Sequence, residues 1–327
     1  MLQRKNAVQG KENIETGLSS NSSLSGGRFF NKNGTANAVY TGLPFWKRMN
    51  VYHSLLSLST THFLLFILLF FISINLLFAG AYLWIGLEHL GGMVATTPGE
   101  KFGEAFFFSA QTFTTVGYGR INPIGFAASV VASLEALIGL MSFALLTGLL
   151  YGRFARPRAF IRFSKPALVA PYQEGAAWMF RLVPYTKNLL MNVEVSVTMV
   201  IQIEDAGSIK NKFFSLPLEI SKINVLTGSW TLVHAIRAGS PLYGLSAADI
   251  AAGRTEFLVF LQGFDESFSN TVIARSSYTF EELVYGAKFK PMFHPNPQQT
   301  GTTVHVNWLN DYERVSVPGY EIESKKE

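Results

Sequence analysis

The sequence TTVGYG, Thr114 to Gly119, lies between two long apolar stretches and contains no acid, histidine or cysteine. Gly117 and Gly119 lack a Cβ atom, so the backbone there tolerates dihedral angles that other residues avoid. Such freedom is needed where successive carbonyl groups must all face one way. The side chains of Val116 and Tyr118 are then predicted to point away from those carbonyls.

Two apolar stretches flank this segment, and each is long enough to cross a membrane. The first, His62 to Ile85, carries no formal charge, and as a helix it would be roughly 35 Å long against a bilayer core of about 30 Å. The second, Pro123 to Tyr151, is interrupted only by Glu135. About sixty residues precede the first stretch, so we expect a retained span and not a cleaved signal peptide.

Basic residues near the two stretches predict their orientation. They precede the first stretch or follow the second, at Lys47, Arg48, Arg153, Arg156, Arg158, Arg162 and Lys165. Between the stretches, the charges of Lys101 and Arg120 are offset by three glutamates. Because basic residues favour the cytoplasmic side of a span, we expect a multi-pass membrane protein with both termini in the cytoplasm.

The composition excludes several classes of function. The chain has no cysteine, which rules out disulfides, thiolate metal sites and cysteine nucleophiles. No trio of nucleophile, base and orienting residue stands out in any loop, so no enzymatic activity is predicted. The formal charge of +5 is concentrated beside the spans, and no nucleic-acid-binding signature is present. Anionic lipids are therefore the expected partners, and nucleic acid is not.

A short apolar segment precedes TTVGYG and completes the membrane part. Gly103 to Thr114 is about twelve residues long, too short to cross a bilayer, which predicts a re-entrant pore helix. Non-helical backbone can follow it at membrane depth only where it is buried in protein or lines a wet cavity.

The part after Pro166 changes character. Short segments rich in Val, Ile, Phe and Thr alternate with turn-forming residues, which predicts an all-β, immunoglobulin-like cytoplasmic sandwich. The expected strands are AAWMFRLV, MNVEVSVTMVIQI, FFSLPLEI, EFLVFLQGF, TVIARSSY and TTVHVNW. One short helix is predicted in LSAADIAAG, Leu245 to Gly253, because it has helical composition and ends in glycine.

The predicted fold class is thus a two-span α-helical pore domain with a re-entrant helix, followed by the sandwich. The predicted regions are a flexible N-terminal tail at 1–42, a slide helix at the membrane interface at 43–60, a pore domain at 61–153 with spans at about 61–87 and 123–152, a pore helix at 103–114, a filter at 115–119, a linker at 154–165 and the sandwich at 166–327. The interfacial segment could instead be the cytoplasmic end of the first span.

The segment from Thr115 to Gly119 is predicted to bind a monovalent cation. Stacked neutral oxygens can replace the water shell of such an ion, and TVGYG is the established carbonyl filter sequence of potassium channels. The expected K⁺ ligands, for K⁺ as the transported ion, are Thr115, Val116, Gly117 and Tyr118. Val116 and Tyr118 are expected to pack on the pore-helix aromatics Phe106, Phe107, Phe108 and Phe113. One chain supplies one wall, so a homotetramer is predicted.

Motifs beyond the filter make the chain resemble the inward-rectifier potassium channels, particularly their prokaryotic branch. The resemblance runs from Phe45 to about Tyr312. Its residues are TFTTVGYG (112–119), LEALIG (134–139), RFARPRA (153–159), SPLYG (240–244), LQGFDE (261–266) and ARSSYTFEEL (274–283).

The resemblance implies functional positions for which other interpretations stay open. Tyr151 would be a bulky gate, or else an interfacial aromatic anchor. Gly139 and Gly148 would let the second span bend, or else permit close helix packing. A basic cluster would bind phosphoinositide or other anionic lipid, or else only fix topology. Its members are Lys47, Arg48, Arg153, Arg156 and Arg158.

Departures from the family pattern also carry expectations. Phe143 stands where strong rectifiers have an acid or Asn, so rectification should be weak. Glu266 matches a cytoplasmic pore acid that would attract Mg²⁺ or polyamines as pore blockers, or else is a solvated turn carboxylate. Gln111 replaces a glutamate, so the brace behind the filter should be a neutral hydrogen bond. Glu135 should be hydrogen-bonded behind the filter or between subunits. The absence of paired outer-loop cysteines favours a bacterial inner membrane.

The predicted function is a potassium-selective channel of the inward-rectifier type, gated at the cytoplasmic end of the second span and modulated by anionic lipid. The alternative is a membrane-anchored sensor whose sandwich binds a ligand. Gly117→Ser would abolish flux in the channel and leave ligand binding intact in the sensor.

Overall fold

A computed structural model of the chain describes residues 8, 12, 28–37, 41–42, 44, 50–155, 159–186, 188–205, 208–295 and 302–317. The chain divides into two compact units. The helical unit comprises Thr41–Arg156, and the β unit comprises Met1–Tyr40 with Pro157–Glu327.

The helical unit contains four α-helices and one two-stranded sheet among its described residues. In chain order these are α1 (Val51–Ser57), α2 (Thr60–Ile85), β1 (Leu90–Gly91), α3 (Pro98–Phe113), β2 (Asn122–Pro123) and α4 (Phe126–Phe154). In the described part of the chain, α2 and α4 are the two helices long and apolar enough to cross a membrane. The apolar stretches on either side of TTVGYG therefore form the helices expected of them.

The pore helix α3 begins five residues earlier than the predicted residue 103. The Thr97 side chain accepts a hydrogen bond from the Glu100 backbone, and the Glu100 carboxylate accepts one from the Thr97 N–H. Pro98 occupies the first turn, where its missing N–H costs nothing. This capping box, TPGE, is legible in the sequence and explains the earlier start.

The first helix, α1, covers part of the predicted slide segment 43–60. A separate helix begins at Thr60 because Ser59 caps it, with the Ser59 hydroxyl accepting from His62 N at 3.3 Å. Residues 43 and 45–49 lie outside the described residues.

Aromatic contacts hold α3 against α2. The rings of Tyr82 and Phe108 lie 5.2 Å apart, and those of Phe71 and Phe113 lie 6.1 Å apart. Most of the large apolar side chains on the outer surfaces of α2 and α4 are exposed. Such a surface would be a liability in water and suits contact with acyl chains.

The described part of the β unit contains two five-stranded sheets and two two-stranded sheets, β13-β16 and β14-β15, which confirms the predicted β-rich domain. Its strands are β3 (Ile161–Phe163), β4 (Ala167–Tyr172), β5 (Gly175–Pro184), β6 (Leu190–Asp205), β7 (Ser208–Ser215), β8 (Lys222–Leu226), β9 (Trp230–Ile236), β10 (Glu256–Asp265), β11 (Asn270–Thr279), β12 (Leu283–Tyr285), β13 (Ala287–Phe289), β14 (Phe293–Pro295), β15 (Thr302–Val304) and β16 (Tyr312–Arg314). The first sheet has the order β11-β10-β6-β7, with β8 also on β6, and the second has β12-β4-β5-β3, with β9 also on β5. A continuous core that includes Trp178, Phe180 and Phe257 fills the space between them.

Two predicted strands are shorter than expected, and the predicted helix is confirmed. FFSLPLEI is a strand only as far as Ser215, because Pro217 lacks the N–H that a ladder requires. TTVHVNW leaves the strand after Val304 and enters a 3-10 turn. The short helix α5 (Ala247–Ala252) is capped by Ser246 and ends at Gly253.

The prediction of a flexible tail at 1–42 is corrected for residues 28–37, which lie on the β unit. The Glu256 carboxylate accepts from the Phe29 N–H at 2.7 Å, and Arg28 pairs with Glu282 at 2.8 Å. The Lys32 ammonium lies 3.5 Å from the centroid of the Tyr278 ring. Burial lowers the pKa of Lys32 to about 8. The composition of the whole tail hid this short segment, in which two Phe and a turn around Gly34 favour docking.

Candidate functional site

The backbone of the filter segment alternates in handedness. Thr115, Gly117 and Gly119 have φ values of 59°, 54° and 84°, while Val116 and Tyr118 between them do not have positive φ. Alternation of this kind allows successive carbonyl groups to face the same side, whereas in a β-strand they would alternate. The positive φ of Thr115 was not predicted. A β-branched residue adopts such an angle rarely, and strain of this kind is concentrated at functional sites.

The N-terminal end of the predicted filter is held by the last turn of α3. The Gln111 carbonyl accepts from Val116 N at 2.9 Å and from Gly117 N at 3.3 Å. The Thr114 hydroxyl closes the same turn by donating to the Ala110 carbonyl at 2.6 Å. Gln111 therefore supports the filter through its backbone, in addition to any bond made by its amide.

The C-terminal end of the predicted filter is held by an ion pair. Arg120, which follows Gly119, donates to the Glu104 carboxylate at 2.7 Å and to the Gly92 carbonyl at 3.3 Å. The other Glu104 oxygen accepts from Val94 N and Ala95 N at 3.1 and 3.2 Å. Sequence reasoning missed this brace. The only signal was the presence of opposite charges in the outer loop, and that does not identify partners.

Glu135 of α4 is hydrogen-bonded behind the filter within its own chain. Its carboxyl group lies 2.6 Å from the Tyr82 hydroxyl and also contacts the Ser109 hydroxyl. Ser109 in turn lies 2.9 Å from the Asn75 side-chain oxygen. All four side chains are buried, so this polar cluster joins α2, α3 and α4.

The two predicted hinge glycines lie in different surroundings. A Cβ atom at Gly139 would lie 2.0 Å from the Phe113 carbonyl oxygen, so Gly139 lets α4 approach the end of α3 closely. A Cβ atom at Gly148 would meet nothing within 4 Å. At Gly139, therefore, the geometry favours the packing interpretation over the hinge.

The filter side chains predicted to point away from the carbonyls, and the predicted gate and cavity residues, are exposed in the single chain. Tyr118 is 81% exposed, Tyr151 is 75% exposed, and Val116 and Phe143 are also exposed. The expected packing of Val116 and Tyr118 on the pore-helix aromatics is not made by one chain. Two of those aromatics, Phe108 and Phe113, are instead buried against α2.

Of the predicted lipid cluster, only Arg153 is described. Its guanidinium lies 5.0 Å from the Phe63 ring and 3.3 Å from the Thr60 hydroxyl. One guanidinium nitrogen, Nη1, is buried and has no hydrogen-bond partner among the described residues. The other four members, Lys47, Arg48, Arg156 and Arg158, lie outside the described residues.

Motif residues of the β unit have structural partners. The His234 ring nitrogen Nδ1 lies 2.7 Å from the Pro217 carbonyl, so it carries the proton, and Nε2 accepts from the Ser240 hydroxyl of SPLYG at 2.8 Å. Burial lowers the pKa of His234. The Tyr278 hydroxyl of RSSY donates to the Ser164 carbonyl at 3.0 Å, and burial raises the pKa of Tyr278.

Glu266, the predicted cytoplasmic pore acid, occupies an exposed turn between β10 and β11. Its backbone N–H donates to the Leu189 carbonyl at 3.4 Å. The position is compatible with both interpretations of its role.

Comparisons with known proteins cover about four fifths of the chain. Residues 161–327 match the model of the inward rectifier potassium channel C-terminal domain, and residues 62–155 match an ion channel model. The inward rectifier potassium channel Kirbac3.1 of Paramagnetospirillum magnetotacticum is 33% identical over 274 residues, covering 83% of this chain and 90% of that protein.

Animal proteins are more distant. The ATP-sensitive inward rectifier potassium channel 12 of Gallus gallus is 27% identical, covering 83% of this chain and 68% of its own. The ATP-sensitive inward rectifier potassium channel 11 of Oryctolagus cuniculus is 27% identical, covering 81% and 73%.

Proposed function

The chain belongs to the inward rectifier potassium channel family, and we propose that four copies surround one axis to form a potassium-selective pore. It is a membrane ion-transport protein and not an enzyme, and K⁺ is the transported ion. The single observation that carries the proposal is the alternating backbone of Thr115 to Gly119, which aims successive carbonyls to one side.

The carbonyls of Thr115, Val116, Gly117 and Tyr118 replace the hydration shell of K⁺. Four chains are needed because one strand supplies one wall of oxygens. The C-terminal end of α3 carries partial negative charge beside the filter and favours a cation in the cavity below. The exposure of Val116, Tyr118 and Phe143 supports assembly, since neighbouring chains would cover these side chains.

The gate is a ring of four Tyr151 side chains at the cytoplasmic end of α4. Their exposure leaves them free to meet at an axis and close the pore by contact and dewetting. Gly148, three residues earlier, is the hinge that we favour over Gly139, because a Cβ atom there would meet nothing within 4 Å. If Tyr151→Ala does not raise the flux of reconstituted channels, the gate lies elsewhere.

Rectification is weak because the cavity position Phe143 carries no charge to hold a cationic blocker. A weaker Mg²⁺ or polyamine site is formed by the Glu266 turns. Phe143→Asp should lower the concentration of cytoplasmic blocker needed for half-block, and Glu266→Gln should raise it slightly. If Phe143→Asp leaves the block unchanged, Phe143 does not line the cavity.

Anionic lipid binds at Lys47, Arg48, Arg153, Arg156 and Arg158. The buried Nη1 of Arg153, which has no hydrogen-bond partner among the described residues, supports this assignment because it can donate to a phosphate oxygen. Each such charge near an anionic surface contributes about 1 kcal/mol. If Arg153→Gln leaves the response to anionic vesicles unchanged, the cluster serves topology alone.

We place the channel in a bacterial inner membrane with both termini in the cytoplasm, in line with its basic flanks. The deciding experiment is flux into liposomes containing the purified protein. Wild type should take up Rb⁺ and exclude Na⁺, Ba²⁺ should block it, and Gly117→Ser should abolish uptake. Equal Na⁺ and Rb⁺ uptake, or ligand binding without flux, would favour the membrane-anchored sensor.

A further inference from the structure

Four polar side chains form a closed cluster behind the filter. Asn75 and Tyr82 come from α2, Ser109 from α3 and Glu135 from α4. Each is at most 1% exposed. Buried polar groups must find hydrogen-bond partners inside the protein, so their protons can be counted.

The direction of one bond fixes the others. The Asn75 nitrogen lies 2.7 Å from the Phe71 carbonyl, which can only accept, so Asn75 donates there. The Asn75 oxygen therefore faces Ser109 as an acceptor, at 2.9 Å. The single Ser109 hydroxyl proton is committed to that bond.

The contacts of Glu135 then need one more proton than the hydroxyls hold. Its carboxyl oxygens contact Tyr82 and Ser109, which together with the Ser109–Asn75 bond makes three O···O contacts. If Glu135 were ionised, Tyr82 and Ser109 would supply only two protons, and one contact would bring two acceptors together. A protonated Glu135 supplies the third proton.

We infer that Glu135 is a neutral carboxylic acid at neutral pH and donates a hydrogen bond to Ser109. The hydrogen bonds then form one chain in which Glu135 donates to Ser109 and Ser109 donates to Asn75, while Tyr82 donates to the second Glu135 oxygen. All four side chains are then satisfied without net charge at membrane depth, where an ionised carboxylate is costly. The groups that contact Glu135 from α2 and α3 are Tyr82 and Ser109, with Asn75 on the far side of Ser109, and no cation is among its contacts in the described residues.

This protonation makes Glu135 a positioning residue, an inference that rests on the proposed channel function. Ser109 lies two residues before Gln111, whose carbonyl holds Val116 and Gly117. A neutral Glu135 therefore ties the turn that supports the filter to both membrane-spanning helices.

The first test is independent of ion flux. Infrared spectra of the reconstituted full chain should contain the carbonyl band of a protonated carboxylic acid at neutral pH. The band should shift in protein labelled with ¹³C-glutamate and disappear in Glu135→Gln. Glu256→Gln is the matched control because Glu256 is also buried but lies in the β unit. The Glu135 band should persist in this variant. Absence of the band from labelled wild type overturns the inference, whatever the variants do.

The second test uses flux. Glu135→Gln preserves a donor and an acceptor and should keep Rb⁺ uptake within about twofold of wild type. Glu135→Leu leaves the Tyr82 hydroxyl without its acceptor and Ser109 without its donor, and should reduce uptake about fivefold or more. If Glu135→Gln fails as badly as Glu135→Leu, the carboxylate charge is required and the inference is wrong. If wild type itself does not select Rb⁺ over Na⁺, the proposed function fails while the infrared result still stands.

Discussion

Replacing Gly139 by alanine should damage the filter from behind. The new Cβ would lie 2.0 Å from the Phe113 carbonyl oxygen, whereas ordinary contact begins at 3.4 Å, so α4 and the end of α3 must separate by about 1.4 Å. Overpacking of this kind costs about 1–3 kcal/mol. Alanine offsets only about 0.5–1 kcal/mol of that through its better helix propensity. The displaced residue, Phe113, lies two positions before Thr115, so the strain reaches the first filter carbonyls.

Two measurements on reconstituted protein check this expectation. Gly139→Ala should lower the temperature at which the assembled channel dissociates, and it should lower the ratio of Rb⁺ to Na⁺ uptake. Gly80→Ala is the matched control, because Gly80 also lies within a spanning helix and its Cβ would meet nothing within 4 Å. If the two variants behave alike in both assays, the close approach of α4 to Phe113 does not support the filter.

Three further predictions concern other contacts. Glu104→Gln and Arg120→Gln should each raise the external K⁺ concentration needed for selective flux, because the filter loses the ion pair at its C-terminal end. Exchanging the two residues should restore part of the selectivity. No rescue by the exchange would argue against a paired role. Glu256→Ala removes the acceptor for two backbone N–H groups and should weaken docking of residues 28–37 on the β unit by about 1.5–3 kcal/mol. The measurement is faster amide hydrogen exchange in residues 28–37. Unchanged exchange would mean that other contacts suffice to hold them. The pKa of His234 is lowered in the fold, so as pH falls through the ordinary value of 6.5 the unfolded chain binds a proton that the folded chain does not, and the stability of the β unit should fall. His234→Asn should flatten that decline in thermal unfolding measured over a pH series. An equal decline in both proteins would assign it to other groups.

Features that depend on neighbouring residues were predictable from the sequence. The apolar lengths of the two stretches indicate spans, the capping signals at Ser59 and Thr97 mark helix starts, and alternating Val, Ile and Phe indicate strands. The location of the filter follows in the same way, because its glycines and its position between spans are local properties. Each of these signals comes from the chemistry of a few adjacent residues and needs no knowledge of the fold.

Features that depend on distant residues were not predictable. The composition of residues 1–42 indicates a flexible tail, yet 28–37 binds the β unit through Glu256 and Glu282, more than two hundred residues away. The order of the strands in the two sheets likewise has no local signal.

The sequence by itself determined that the chain has two helices long and apolar enough to cross a membrane, that the glycine-containing segment predicted to be the filter lies between them and that a β-rich domain follows. Only the tertiary structure decided which groups support the filter: the Arg120–Glu104 pair, the close approach at Gly139 and the cluster around Glu135. The physical reason is that hydrophobic length and backbone freedom belong to a segment, whereas the partner of a charge or a hydroxyl is set by which helices pack together.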